Sequence, residues 1–555
     1  MGRPTRCLLL AASPLCGYLL WRSTYSIAAP QKRIIRQYRS SAPRSLKGFG
    51  EKTFEFAPRS PAPQRSTKNS QLDDARRQKI IAAFVHSWKG YRQYAWGRDE
   101  VKPKSSGSNE AWGGFSVTMI DGLDTAMLMG LDSEVEAAIA YLSANFTFAK
   151  NHIISVFEMT IRVLGGLLSA YDLSNDERLL KLARHVGETL LPAFHLEGGT
   201  GKSTTISGQL HTASGGTRGR AGNLAEKGTL QLEMGRLSQL TPGNEKFARA
   251  AESFGDLLLE SYLDHPASLN GAFDSFYEYL LKMHLLTAKS HNGLLKAYRT
   301  ASSGVAKHLY KPCTPSQLQP WPIANARGAF LASSGGRSEW MEHLACFWPG
   351  TLALSVLTNV SANPKDDTAM AINLATSCYH AYSDTPTGLA PDAWHFNPSS
   401  CTITPSGKKY SLRPETIESL WYLWRLTHNQ TYREWGWNIF EALESECRTS
   451  IGYAGLLNVY QKGSTEDSEP SFWMAEVLKY LFLLFSDDDV LPLDQWVLNT
   501  EAHPFRIDQP EGDSPLQFPE CIRRYDMNGV PLASASFKVS KCESSSSQAE
   551  EEEFD

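Results

Sequence analysis

The sequence predicts an all-α fold in which amphipathic helices pack on one another in layers. Three observations carry this reading. Apolar residues recur at three- and four-residue spacing, strand-like alternation is scarce, and Gly-, Pro- and Asn-rich breaks separate the helical runs. Many such helices in one unit bury their apolar faces by helix-on-helix layering, as a bundle, a solenoid or a closed αα barrel. Periodicity alone does not choose among the three.

In chain order, the spacing predicts helices over Val156–Tyr171, Leu230–Leu240, Phe276–Leu286, Ile417–Leu426, Tyr432–Leu443 and Phe472–Phe485. Breaks such as Thr241-Pro-Gly-Asn and Ser361-Ala-Asn-Pro fall between them. The helical body is expected to run over 76–506. Before it, Arg3 and Arg6 precede an apolar run from Cys7 to Trp21 that contains Pro14. The run is short of the ~20 residues that span a bilayer, so residues 1–21 suit a signal-peptide core or a marginal signal anchor. No acid precedes Glu51, and Arg and Ser are frequent. A mitochondrial transit peptide has the same composition and is the competing reading. Residues 22–75 lack apolar periodicity and read as a basic Ser/Pro-rich stem, and 507–555 as a tail ending in acids.

Composition narrows the function classes. With 555 residues and 42% apolar content, the chain can bury a large core. A net charge of −4 does not suit a uniformly basic nucleic-acid binder. The nine cysteines form no CxxC pair and no Cys/His zinc spacing. One or two disulfides or buried thiols fit. Sequons at Asn145, Asn359 and Asn429 lend slight support to a secretory location, while Asn397-Pro-Ser is blocked by its proline. Gly199-Thr-Gly-Lys-Ser-Thr imitates a phosphate loop, but Leu196 stands where that loop needs its first glycine and no strand precedes it.

Acidic residues inside apolar helices are the chemical signal. Glu158 and Arg162 lie four apart on one helical face. Glu226 and Glu233 flank an apolar stretch. Asp274 opens a helix with Glu278 one turn on, and could be an ordinary N-cap. Glu415 and Glu418 follow Pro414, read as an N1 proline, and could merely compensate the helix dipole. Glu476 sits in Phe-Trp-Met-Ala-Glu-Val-Leu, and Asn499-Thr-Glu-Ala-His-Pro closes the helical region. Each site alone reads as structural. Together they suggest a ring of acids from successive hairpins facing one interior. Such a ring suits acid/base chemistry on a glycosidic bond, or a hard cation such as Ca²⁺.

These blocks resemble glycoside hydrolase family 47, the class I α-1,2-mannosidases, in a fungal-like form. The matching stretches are Tyr94-Ala-Trp-Gly-Arg-Asp-Glu-Val-Lys-Pro, Ile120-Asp-Gly-Leu-Asp-Thr, and the run from Val156 to Tyr171. Asp274-Ser-Phe-Tyr-Glu-Tyr-Leu-Leu-Lys, His343-Leu-Ala-Cys-Phe, Leu412-Arg-Pro-Glu-Thr-Ile-Glu-Ser, and Phe485 to Pro504 follow in the family's order. The resemblance implies an (α/α)7 barrel, Ca²⁺ as cofactor, and inverting hydrolysis of terminal α-1,2-mannose on high-mannose N-glycans. It implies work in the endoplasmic reticulum or Golgi lumen, and the chain is expected to be a monomer. By resemblance Glu158 matches a catalytic acid, Asp274 an essential acid and Glu415 the base. Either Glu158 or Asp274 would protonate the leaving oxygen. Thr500 looks like the direct metal ligand, with Glu418, Glu476 and Glu501 holding its waters and the terminal sugar. Asp121, Asp124, Arg162, Glu226 and Arg413 look like sugar contacts, and Cys346 and Cys378 match the family's disulfide.

The sequence also departs from that pattern. Asp392, placed with the catalytic acids, stands where the family has Glu after Pro, and Arg98 stands for a usual His. Gly198 to Gly216 lacks the usual Gly-x-Pro. Ala272 stands where the endoplasmic reticulum subgroup carries Arg, which leads us to expect broader, Golgi- or fungal-type trimming. Two other classes compete with the enzyme: a quality-control lectin on the same barrel with little turnover, and a helical scaffold. The complete set Glu158, Asp274, Glu415 and Thr500 favours the enzyme.

Overall fold

The computed structural model describes residues 68–195, 206–314 and 326–507. The apolar run of 1–21, the stem up to 67, the tail from 508 and the loop Gly199–Thr204 lie outside the described residues.

Among the described residues, helices alternate along the chain between two rings. The inner ring takes Val117–Asp121 with Leu123–Leu128, the run from Val156 to Ser174, Gln231–Leu240, Asp274–Leu286, Trp348–Leu357, Glu415–Thr427, and Trp473–Val477 with Leu478–Leu484. Each packs on the next, and the last returns to the first, so the ring closes. The outer partners are Lys68–Tyr94, Asp132–Asn145, Glu177–Leu190, Glu245–Glu252, Asn292–Gly304, Pro364–Ser383 and Gln430–Glu446. The expected (α/α)7 barrel is the fold.

Burial separates the rings. Every residue of the inner Asp274–Leu286 helix after Asp274 is buried. On the outer Glu177–Leu190 helix only one stripe is buried, Leu179, Leu180, Ala183, Val186, Gly187 and Leu190. A helix enclosed on all sides carries apolar residues all round, whereas a surface helix shows a stripe. Two glycines let inner helices close up. A Cβ on Gly166 would stand 2.9 Å from Ile120 O, and one on Gly350 3.2 Å from Ser419 Cα.

Two expectations shift. The Lys68–Tyr94 helix begins inside the segment read as stem up to 75. Asp73 accepts from Arg433 at 2.6 Å, and Arg76 forks onto Glu434 at 2.8 and 2.7 Å. The charges that hold this first turn also hide its apolar period. The run from Val156 is interrupted too: Val156–Glu158 and Gly165–Ser174 are α-helical, but Met159–Leu164 between them is π-helical, as is Trp473–Val477. Such π-turns often sit at functional sites, and these two carry Arg162 and Glu476.

Short antiparallel strand pairs lead into the inner helices. Ile153–Ser155 pairs with Ser207–His211 and runs straight into Val156. Trp340–Glu342 pairs with Ala393–Asn397 and runs into His343. A hairpin, Trp496–Leu498 with Pro504–Arg506, pushes its turn into the barrel. Asn499, Ala502 and His503 in that turn are wholly buried. Disulfides join Cys346 to Cys378, as expected, and Cys313 to Cys401, which the sequence reading did not pair, while Cys447 is a buried free thiol. Of the sequon asparagines, Asn145 and Asn359 are exposed, and Asn429 caps the Gln430–Glu446 helix by accepting from Thr431 N. No helix among the described residues is long and apolar enough to cross a membrane.

Candidate active site

Glu158, Asp274 and Glu415 come from the starts of three inner helices. Asp274 is the first residue of its helix and not its N-cap, the structural alternative to a catalytic role. Phe273 holds the cap position, and Oδ1 of Asp274 accepts from the adjacent Ser275 N at 2.8 Å. Burial, then the charges of Glu278, Glu415 and Glu342, push the Asp274 carboxyl up to about 7. Glu415 follows Pro414, which is the cap rather than the first helical residue. Its Oε2 accepts from His343 Nδ1 at 2.7 Å. The far nitrogen of that ring lies 2.8 Å from Tyr382 OH and 3.1 Å from Thr416 Oγ1. Burial acts to raise Glu415, yet the hydrogen bond and pull of His343, with Arg413, hold it below the ordinary glutamate range. Two neighbouring acids are thus driven apart, one toward the protonated form and one toward the ionised.

Glu158 Oε2 accepts from Arg162 Nε at 2.9 Å, and its side chain is 26% exposed. Arg162 also reaches Glu501 Oε1, stands 3.5 Å from Asp121 Oδ2, and lies under Trp112 and Phe472 at 5.5 and 5.6 Å. Glu226 sits half-buried on the rim, its Oε2 accepting from Gly222 N at 2.6 Å. Arg413 Nη1 lies 3.9 Å from Glu415 Oε1. Neighbouring Leu412 and Ala272 carry positive φ of 56° and 80°, which puts two non-glycine bends at the entrances to Glu415 and Asp274.

Three of the expected site residues are engaged by protein partners. Asp124 is wholly buried, with Lys479 Nζ, His503 Nδ1 and Ser169 Oγ each 2.8 Å from its oxygens. Burial would raise it, but Lys479 and His503 bring it down to about 2. Asp121 is equally buried, and its Oδ1 lies 3.1 Å from His503 Nε2. Asp124 is thus engaged by protein partners at both oxygens, whereas Asp121 Oδ2 has no hydrogen-bond partner and stands 3.5 Å from Arg162. Asp392 accepts from Ser411 N at 2.9 Å and from Ser411 Oγ at 2.6 Å. It braces the segment leading to Glu415, and its Oδ1 also lies 3.7 Å from Arg413 Nε in the same charge cluster as Glu415 and Glu342.

Thr500 lies at the tip of the inserted hairpin, half-buried, its N–H pointing at Tyr279 OH 3.4 Å away. Its hydroxyl makes no hydrogen bond among the described residues. Glu418, Glu476 and the adjacent Glu501 are buried. Burial first and like charges second push Glu418 and Glu501 up to about 8 and Glu476 well above the carboxylate range. Carboxyl oxygens and a free hydroxyl are donor types that suit a hard divalent cation. No group of three or more His, Cys, Asp or Glu side chains among the described residues could hold a metal directly.

The sequence reading missed Glu342, whose Oε2 accepts from Gly271 N at 2.7 Å and whose charge reaches Asp274. It directly precedes the His343 block, and that adjacency was the available signal. Lys282, bonded to Glu278 and to Asn499 O, is the cation that the acid ring needs.

Comparisons with known proteins agree with this fold. The chain is 39% identical over 484 residues to the mannosyl-oligosaccharide 1,2-alpha-mannosidase MNS1 of Arabidopsis thaliana, covering 82% of this chain and 81% of that protein. It is 38% identical over 491 residues to the human endoplasmic reticulum mannosyl-oligosaccharide 1,2-alpha-mannosidase, covering 82% and 68%. The solved alpha-1,2-mannosidase from Trichoderma reesei superposes with a TM-score of 0.68 at 30% identity, covering 78% of this chain and 99% of that one. The glycosyl hydrolase family 47 description matches residues 83–507, and the chain belongs to that family.

Proposed function

We propose that this chain is a mannosyl-oligosaccharide 1,2-α-mannosidase that removes terminal α-1,2-linked mannose from high-mannose N-glycans with inversion, in a secretory compartment. The observation that carries the reading is the opposed pair Asp274 and Glu415. An inverting glycosidase needs one carboxyl protonated and one ionised, about 6.5–9.5 Å apart with water between. Glu415, oriented by His343, takes a proton from the attacking water. Asp274, with its carboxyl raised to about 7, gives its proton to the leaving oxygen. Glu158, held against Arg162, lines the same mouth and fixes the sugar. Arg413 and Glu226 extend that contact surface.

Calcium is the cofactor of this reading. Thr500 would hold it, with Glu418, Glu476 and Glu501 on its waters. When bound it supplies positive charge that lets these buried carboxylates stay ionised and orients sugar hydroxyls. Ala272 adds no guanidinium of its own beside Asp274, which supports trimming of several branches. The N-terminal apolar run serves as leader or anchor. A lectin without turnover is the weaker reading, because the acid/base pair is intact. The test is mannose release from a high-mannose glycan by the full chain, with and without a chelator. Release that stops on chelation and returns with Ca²⁺ is expected, and no release under either condition would sink the enzyme reading.

A further inference from the structure

Glu233 is wholly buried on the inner Gln231–Leu240 helix. Its Oε1 accepts from Tyr279 OH at 2.6 Å and from Asn499 Nδ2 at 2.8 Å, while Oε2 has no hydrogen-bond partner. Both partners lead to the metal-holding tip. Tyr279 OH accepts from Thr500 N at 3.4 Å. Asn499 Oδ1 accepts from Glu501 N at 2.9 Å and His503 N at 2.8 Å, so one side chain shapes the whole turn. Asn499 Nδ2 also donates to Ile161 O at 2.9 Å. A Cβ on Gly165 would stand 2.7 Å from that nitrogen, so the neighbouring helix is cut back to admit it. A buried carboxylate with one idle oxygen is costly. What it gives in return is one bond to the loop, through Asn499, and one to Tyr279 on the helix that backs it.

We propose that Glu233 is a positioning residue for the Thr500 turn. Through Tyr279 and Asn499 it fixes where the two Thr500 oxygens stand, and so sets the affinity for a divalent cation while touching neither cation nor substrate. This rests on the calcium reading above. Groups that orient metal ligands from behind typically change affinity by roughly 10–100-fold when removed.

The test is calcium titration of the chelator-stripped full chain by calorimetry, with melting temperatures recorded in chelator. Glu233→Met keeps the volume and removes the acceptor, and is expected to weaken calcium binding by at least about tenfold. Glu233→Gln keeps an oxygen for both donors and is expected to stay within that limit. Tyr279→Phe, which loses one arm of the relay, should also weaken calcium binding, and it serves if Glu233→Met does not fold. Variants that melt lower in chelator but bind calcium like the parent would overturn the proposal and leave Glu233 a core hydrogen bond. A parent chain that binds no calcium would overturn the calcium reading itself, and this proposal with it.

Discussion

Nδ1 of His343 stands 2.7 Å from Oε2 of Glu415, and the imidazole is wholly enclosed. A carboxylate can only accept, so Nδ1 carries the proton and the far nitrogen faces Tyr382 and Thr416. The base is thereby aimed, and its ionised form is favoured. Replacing His343 with Gln removes that support. The folded pKa of Glu415 should rise, and the acidic limb of the kcat/KM profile should move to higher pH. An unmoved limb would detach His343 from the base.

Glu415→Gln keeps the shape and removes the basic oxygen. Turnover should fall by about 10²–10⁴-fold, with the melting temperature little changed. Retained turnover would remove Glu415 from the base role.

Asp274→Asn removes the proton donor. Hydrolysis of the natural linkage should drop steeply, while α-mannosyl fluoride, whose leaving group needs no protonation, should still turn over. Glu158→Gln should be impaired on both substrates, since it positions the sugar. The opposite pattern would move the acid role to Glu158. In the parent, kcat/KM should decline above pH about 7 as Asp274 loses its proton, and Asp274→Asn should lose that limb.

Below the site, Asp124 and His503 make stability depend on pH in two windows. His503 is raised from 6.5 to about 8, against burial, by Asp124 and Asp121. Its contribution is complete below its unfolded value and is lost as pH rises through about 8. The shift corresponds to about 2 kcal/mol. Asp124, lowered to about 2, contributes above the ordinary Asp range and is lost as pH falls toward 2. Urea midpoints of the parent and His503→Gln across pH 6–9 test the first window, and the variant should lose the alkaline decline.

Asp392→Ala leaves Ser411 N and Oγ without their acceptor. A destabilisation of about 1–3 kcal/mol is expected, with kcat reduced because the Ser411–Arg413 segment positions Glu415. Asp392→Ala with unchanged stability and kcat would show that the brace is idle.

The helical body was legible because inner helices such as Asp274–Leu286 keep apolar residues on every face, and outer ones keep a stripe. Ring closure was not, since periodicity carries no information about which helix meets which. The acids could be read from the sequence as an unusual set in apolar runs, and family resemblance gave them roles. Burial separated those residues. Asp121 and Asp124 look the same in sequence as Glu158, yet they are wholly buried against His503 and Lys479. Lys68–Tyr94 escaped notice in its first turns because Asp73 and Arg76 are charged residues buried by pairing. Cys313 and Cys401 could not be paired because only the fold brings them together.

Asp274 and Glu415 are proposed to act on opposite faces of the glycosidic bond. This is tested by ¹H NMR of the mannose anomer first released from an α-1,2-linked substrate, before mutarotation. β-Mannose is expected as the initial product. Initial α-mannose would mean a covalent or front-side route and would contradict that placement.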